Sequence, residues 1–562
     1  MKRTTTTRTS PWLQRLSVLL LALLATAQTL AAERPWHRLE AEHYAVLSQL
    51  DDADTLGWTR DFDQFIAALS SLLGINPKQL PPLTVVLFAR DKDFTPYKLM
   101  RPNGRTANLA GEFVRQRTWS VIGIADNAYD EELRETIYHE ATHWLMSADE
   151  ARHPAWYSEG IAELLATFEY KGKKVNFAKP IGRNIATLQL RRMIPLREFL
   201  TQPSALYDRD DNTDLFYAQA WAFMHFLIYS GDPLCEDVLT RFIETFKTHS
   251  GDATIDEVFG DKLPDVEKAF HNYIQRTRFT YNIAPSVPTK ELPKPVVASA
   301  ESVEAALGFL ALGANHDDLA SEHAHKAIEL DPLAPGGHEI LAYLYMQGQA
   351  IDRAAAQARD ALDGGSRDSD MYMMLGDSFV RGANADLQDA DRQRANLYEK
   401  AINLNPRRAE PYERLTETMF NMESPAETDR TFLAQGLAVF PGNDWLRVGA
   451  AAVAFRQGRR DDASEDMNRA LLPNSTLNDQ QRSFATGFLR SMRFQQMNHD
   501  LRDALDRKDM PAAQAAATQM LAEPDLPAGM RDYLLSVRDA PATEEKPTRK
   551  PATPAKKKPQ KK

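Results

Sequence analysis

Residues 139–143 have the sequence His-Glu-Ala-Thr-His, and residues 154–163 have the sequence Pro-Ala-Trp-Tyr-Ser-Glu-Gly-Ile-Ala-Glu. The spacing of apolar residues predicts one helix over about Asp130–Ser147 and a second over about Tyr157–Phe168. His153-Pro154 interrupts the chain between them, because proline cannot continue a helix. We therefore expect two consecutive helices that pack antiparallel, each carrying one of these segments.

The first helix carries two candidate metal ligands. His139 and His143 are four positions apart, so a helix places both imidazoles on one face, where both can bind one zinc ion. Glu140 lies beside them and can take a proton from a water molecule at the metal. A catalytic zinc site also needs a third protein ligand and one open position. This pattern is typical of a zinc hydrolase with Glu140 as the general base.

Two residues compete for the third ligand position. Asp149 has the metzincin spacing after His143, but Met146 occupies the position that this pattern reserves for glycine. Glu159 follows on the second predicted helix, after room for a turn. Glu163 lies one helical turn beyond Glu159, on the same face. We expect Glu159 to bind the metal and Glu163 to orient a ligand histidine through a hydrogen bond.

These segments resemble the peptidase MA-like family, a bacterial branch of the gluzincin, thermolysin-like clan of zinc metallopeptidases. Residues 139–143 and the Trp-Tyr-Ser-Glu-Gly-Ile-Ala-Glu run at 156–163 carry the resemblance, which covers roughly residues 40–280. The resemblance implies a zincin-like α+β domain that uses one Zn2+ to hydrolyse a peptide or protein substrate. It also implies a C-terminal array of tetratricopeptide (TPR) repeats, which this family often has.

Two further site residues depend on the resemblance. The family binds substrate backbone along a sheet edge that precedes the metal helix, and Asn108–Arg115 matches that place, so Gly111 is the candidate substrate-binding residue. An ordinary sheet edge is the alternative. The family stabilises the oxyanion with a Tyr or His from a later helix, and Tyr217 in the predicted helix Phe216–Tyr229 is the candidate. Its alternative role is that of a packed aromatic residue.

Strands followed by helices predict an α+β domain over residues 33–282. The strand predictions rest on β-rich or alternating runs at His43–Leu47, Leu83–Ala89 and Thr118–Ala125. Asp61–Leu73 has helical spacing.

The C-terminal region contains an internal repeat. Ala-Ile-Glu-Leu-Asp-Pro at 327–332 recurs as Ala-Ile-Asn-Leu-Asn-Pro at 401–406, and small residues recur at intervals of 34. This period predicts an all-α, TPR-like solenoid over 296–475. One unit is about six residues longer than the standard period, and polar Ala385–Arg394 is the predicted insertion. Because TPR arrays form concave binding surfaces, we expect a protein partner there.

Three segments complete the predicted organisation. Residues 283–295 contain four prolines and are interpreted as a linker, so we expect residues 33–282 to fold and bind zinc by themselves. Residues 476–540 are predicted to be helical without a clear repeat. Residues 541–562 are rich in Lys and Pro and predict a disordered tail.

Charge and leader sequence restrict location and partners. Residues 1–32 contain four basic residues, no acid and an apolar run, which predicts a secretory signal and a periplasmic protein, with a signal anchor as the alternative. Residues 33–540 carry about −21, which argues against nucleic acid as a partner. The basic tail allows at most weak contact with an envelope or anionic surface. Cys235 is the single cysteine, which excludes an intramolecular disulfide.

The residues leave two functions open. In the first, the chain is a zinc peptidase whose repeats recruit a partner or substrate. In the second, it is a TPR interaction scaffold with a weak or vestigial peptidase site. The complete set of ligand and base positions favours the first.

Overall fold

The computed structural model describes residues 34–99, 111–125, 131–147, 153–201, 213–246, 249, 251–276, 278–379, 387–523, 526 and 528–541. The predicted signal, the first three residues of the predicted strand at 108–115, Asp149 and residues 542–562 of the predicted tail lie outside the described residues. Among the helices of the described part, none is both long enough and apolar enough to cross a membrane.

A mixed six-stranded sheet forms the centre of the N-terminal region. Its strands in chain order are β1 (His37–Glu40), β2 (Ala45–Ser48), β3 (Leu83–Leu87), β4 (Gly111–Arg115), β5 (Ser120–Ile124) and β9 (Val296–Val297). The spatial order is β4-β5-β3-β2-β1-β9, in which β2, β3 and β5 are parallel and the other pairs are antiparallel. A separate antiparallel sheet consists of β6 (Glu169–Tyr170), β7 (Lys174–Phe177) and β8 (Asn282–Pro285).

Ten α-helices accompany these sheets among the described residues. They are α1 (Asp52–Leu73), α2 (Asp91–Phe94), α3 (Glu131–Met146), α4 (Ala155–Ala166), α5 (Gly182–Leu190), α6 (Leu196–Thr201), α7 (Thr213–Tyr229), α8 (Val238–Phe246), α9 (Gly251–Val258) and α10 (Leu263–Ile274). Short 3-10 helices occupy Pro77–Gln79, Thr95–Tyr97, Pro233–Cys235 and Gly260–Lys262. Helix α1 begins nine residues before its predicted start, because Asp51 caps it by accepting a hydrogen bond from the Asp54 amide at 2.9 Å.

The C-terminal helices recur in pairs. They are α11 (Ala300–Gly313), α12 (Asp317–Leu330), α13 (Pro335–Gln347), α14 (Ile351–Asp363), α15 (Ser369–Ser378), α16 (Leu387–Leu404), α17 (Ala409–Met419), α18 (Glu427–Val439), α19 (Asp444–Arg456), α20 (Arg460–Ala470), α21 (Asp479–Asp506), α22 (Met510–Leu521) and α23 (Ala528–Arg538). The starts of α11, α13 and α15 are 35 and 34 residues apart. The predicted all-helical solenoid is therefore confirmed. The chain divides into two compact units, residues 1–411 and 412–562.

One repeat unit is longer than the others. The starts of α15 and α17 are 40 residues apart, which agrees with about six extra residues. Residues 387–394 belong to α16, which has 18 residues, so this part of the predicted insertion lengthens a helix.

The first repeats cover part of one face of the six-stranded sheet. Successive strand residues point to opposite faces, so Val85 and Ile122 join the core that contains α1, α3, α4 and α7. Val86 and Val121 point the other way and join a second core with Leu310 of α11. The central strands β2, β3 and β5 are thus buried between the α+β helices and the repeats.

The segment predicted as a linker is fixed to the N-terminal region. Residue 283 lies in β8, and β9 just beyond the segment pairs with β1. Between them, the Gln64 side-chain amide donates to the Val287 carbonyl at 2.9 Å and to the Thr289 hydroxyl at 3.1 Å. Proline favours extended backbone and needs no donor at a sheet edge, so a proline-rich segment can be firmly held. The interpretation of residues 283–295 as a separating linker is corrected accordingly.

Candidate metal centre

Helices α3 and α4 bring three side chains to one point. His139 Nε2 lies 3.2 Å from His143 Nε2, and each of these atoms lies 3.3 Å from Glu159 Oε2. The three side chains are only 11–15% exposed. Within the described part of the chain, these three form the one group of His, Cys, Asp and Glu side chains whose geometry could hold a metal ion.

The dimensions of this triangle fit zinc. Tetrahedral coordination at about 2.0–2.1 Å places neighbouring ligand atoms about 3.3–3.4 Å apart. The three observed distances of 3.2–3.3 Å agree with that value. Two imidazole nitrogens and one carboxylate oxygen are also a donor set that zinc accepts, and three protein ligands leave a fourth position open.

The electrostatics of the triangle favour a cation. Burial lowers the pKa of His139, but its contacts with the carboxylates of Glu159 and Glu163 outweigh burial and raise the pKa to about 10. Burial likewise raises the pKa of Glu159, whereas its contacts with the two histidines lower it to about 2. The two carboxylates therefore favour a positive charge at this point.

Glu163 lies behind His139, as its predicted role requires. Its Oε1 is 3.2 Å from His139 Nδ1, at ion-pair distance although not aligned as a hydrogen bond. Its Oε2 accepts a hydrogen bond from Asn184 Nδ2 of α5 at 2.8 Å. Arg183, the preceding residue, places Nη2 3.7 Å from the same oxygen. Each oxygen of this carboxylate thus faces a different partner.

Glu140 follows His139 on α3 and is half-buried. Its negative charge is one of the influences that raise the pKa of His139. The negative charge of Glu140 therefore adds to the charges of the carboxylates that surround the candidate ligands.

Tyr217 of α7 lies against the triangle. Its ring centroid is 5.9 Å from that of His139, in an edge-to-face arrangement. Gly160 of α4 makes this proximity possible, because a Cβ at that position would lie 2.7 Å from the Ala220 carbonyl oxygen of α7. The glycine that follows Glu159 in the sequence therefore lets α7 approach α4 closely.

Gly111 opens β4, at one edge of the six-stranded sheet. A Cβ on Gly111 would lie 2.5 Å from Leu133 Cδ1 of α3, so the strand packs directly on the helix that carries the candidate ligands His139 and His143. Leu133 precedes His139 by six residues, which is about 9 Å along a helix axis. Next to Gly111, Glu112 accepts a hydrogen bond from the Leu99 amide at 2.7 Å.

The residues that support Glu163 were not predicted from the sequence. Asn184 and Arg183 lie in the first turn of α5, twenty or more residues after Glu163. Arg183 Nη1 also contacts Glu135 Oε2 of α3 at 2.5 Å. No motif marks these two residues, and the only signal is a polar pair that is followed by an amphipathic helical pattern.

The comparisons with known proteins identify repeat proteins. No protein-family model matches the chain, and no curated protein matches it. Among solved structures, YrrB, a TPR protein with an unusual peptide-binding site, is 19% identical with a TM-score of 0.27, over 32% of this chain and 88% of YrrB. A thermophilic TPR protein of Thermus thermophilus is 18% identical with a TM-score of 0.22, over 34% of this chain and 98% of that protein.

PilF of Pseudomonas aeruginosa is 16% identical with a TM-score of 0.24, over 42% of this chain and 97% of PilF. TM-scores this low carry no argument about function. The repeat assignment therefore depends on the helix pairs and their 34-residue period.

Proposed function

We propose that the chain is an exported zinc-dependent peptidase whose helical repeats bind a protein partner or substrate. The observation that carries the proposal is the triangle formed by His139, His143 and Glu159, with atoms at the spacing of tetrahedral zinc ligands. The resemblance of residues 139–163 to gluzincins supports peptide-bond hydrolysis in particular. Export rests on the signal predicted at residues 1–32.

The three triangle side chains would hold the ion, and a zinc ion bound there supplies Lewis acidity to water and to a peptide carbonyl. Glu140 takes a proton from the attacking water and passes it to the leaving amine, which makes it general base and then general acid. Glu163 holds the His139 ring in one orientation.

Two further groups would act on the substrate. The hydroxyl of Tyr217 donates to the carbonyl oxygen as negative charge develops there, because its ring lies beside His139. The outer edge of β4, which begins at Gly111 and pairs with no strand of the described residues, would pair with substrate backbone.

A TPR interaction scaffold without effective hydrolysis is the second candidate. The observation that favours it is the helical repeat array, which the fold shows directly, whereas hydrolysis depends on the motif and the triangle. The repeats contribute to both candidates, so the question is whether the triangle binds metal and turns over peptide.

Metal content tests the proposal. The purified parental protein should contain about one zinc per chain, and His143→Ala should lose it because one of three ligands is gone. His499→Ala is the matched control, since this histidine is 46% exposed on α21 and should have no effect. Full retention of zinc by His143→Ala would contradict the metal site. Zinc binding without cleavage of any member of a mixed peptide library would favour the scaffold.

A further inference from the structure

The first turn of α5 connects the two helices that supply the candidate metal ligands. Asn184 is 5% exposed and donates to Glu163 of α4 at 2.8 Å. Arg183 contacts Glu163 at 3.7 Å and Glu135 of α3 at 2.5 Å. Glu135 lies one helical turn before His139, so Arg183 spans α3 and α4 at the level of the metal centre.

Glu163 can orient His139 only if its own carboxylate is fixed. Its two oxygens have different partners, since Oε1 faces His139 Nδ1 and Oε2 accepts from Asn184. Rotation of the carboxylate would break both contacts together. Glu163 is 7% exposed, so little water could replace a lost donor.

We infer that Asn184 and Arg183 are positioning residues for the metal centre, a clamp on α5 that raises zinc affinity through Glu163. Asn184 orients the Glu163 carboxylate, and Arg183 holds the spacing between α3 and α4. Neither side chain is placed to bind the metal. This inference rests on the proposed zinc function and adds to it the residues that control affinity.

Zinc affinity provides the test. Removal of an outer partner of a metal ligand typically weakens metal binding about 10–100-fold. We expect Glu163→Ala to fall in this range, Asn184→Ala to lose about 10-fold, and Arg183→Gln to lose about 2–5-fold because its side chain is 51% exposed. Gln189→Ala is the matched control, an amide removed from an exposed position of the same helix.

A double-mutant cycle separates positioning from general loss of stability. If Asn184 acts through Glu163, adding Asn184→Ala to Glu163→Ala should weaken zinc binding no further. An equal loss in both backgrounds would overturn the clamp. With Co2+ in place of zinc, Asn184→Ala should also change the visible d–d bands, which report ligand geometry, and Gln189→Ala should leave them unchanged.

The outcomes distinguish this inference from the proposed function. A parental chain that binds no zinc would contradict both. Equal zinc affinity in the parental chain and in folded Asn184→Ala would contradict only the clamp. If Asn184→Ala does not fold, zinc affinity is measured instead in the near-isosteric Asn184→Leu and in Arg183→Gln, whose position is more exposed. Unchanged zinc affinity in a folded variant overturns the inference.

Discussion

The α+β region and the first repeats differ in how their sequences relate to their structures. In the α+β region, His139, Glu163 and Asn184 meet although they lie on three different helices, and β1 pairs with β9 about 260 residues away. In the repeats, each helix packs mainly on its sequence neighbours, so a 34-residue period is enough to predict them. The comparison teaches that a repeat in the sequence predicts the helices of a region but does not predict the surface on which those helices pack.

What the repeats cover is the open face of the six-stranded sheet. Leu310 of α11 lies in one core with Val86 and Val121 of the sheet. The α+β region, which contains the candidate metal ligands, therefore depends on the repeats, which contain none of them, to bury a face of its sheet. This dependence replaces the modular expectation for residues 33–282.

Removal of the repeats should have the largest effect. A fragment of residues 33–282 would lose β9 and expose the apolar face that α11 now buries, so we expect it to be insoluble or molten. A fragment of residues 33–411 is the matched control, because it keeps the whole first compact unit. Solubility, near-UV circular dichroism and thermal unfolding of the two fragments provide the measurement.

A cooperative, soluble fragment of residues 33–282 with bound zinc would restore the modular interpretation. It would show that the exposed face is tolerated, and that the repeats serve recruitment alone.

Glu140→Gln should affect only the chemistry. The amide cannot take a proton from water, so hydrolysis should fall about 100–10,000-fold while zinc content and thermal unfolding stay at the parental values. Glu131→Gln, at the exposed start of the same helix, is the matched control and should be fully active. Parental cleavage rates in Glu140→Gln would exclude it as the general base.

The sequence predicted the helices of the site better than their surroundings. Helices α3 and α4 lie within two residues of their predicted bounds, because helical spacing is local. β1 and β9 were not predicted, since a strand pair distant in sequence leaves no periodic pattern in either short strand. Asn184 was missed for the same reason, as its partner Glu163 lies 21 residues away.

Replacement of a glycine at the contact between the repeats and the sheet should lower the stability of the chain more than replacement of the equivalent glycine in the next repeat. A Cβ on Gly313 of α11 would lie 2.3–2.8 Å from three side-chain atoms of Val114 in β4. Gly348 ends α13 at the corresponding place, and a Cβ there would make only ordinary contacts beyond 3.4 Å. Gly313→Ala should destabilise the chain by about 1–3 kcal/mol, and Gly348→Ala by less than about 0.5 kcal/mol.

Chemical unfolding monitored by circular dichroism measures this difference. Equal effects of Gly313→Ala and Gly348→Ala would mean that the repeats tolerate displacement from the sheet, which would weaken the dependence of one region on the other.

The smallest expected effect concerns Glu112 on β4. Burial raises the pKa of Glu112 to about 7, and the hydrogen bond from the Leu99 amide lowers it by less. The usual pKa of Glu in an unfolded chain is about 4.3, so between these values the folded state binds more protons than the unfolded state. The stability contributed by this carboxyl is fully present below about pH 4 and is lost as the pH rises through about 7.

Glu112→Gln should therefore be more stable than the parental chain at pH 8 by on the order of 1 kcal/mol, because its amide still accepts from Leu99 and cannot ionise. Near pH 4 the two chains should be about equally stable. Asp63 and Asp368 also have raised pKa values, of about 6 and about 7, so the parental stability curve alone cannot isolate Glu112. The difference between the two curves removes their contribution, and a difference independent of pH would show that the pKa of Glu112 is the same in the folded and unfolded chains.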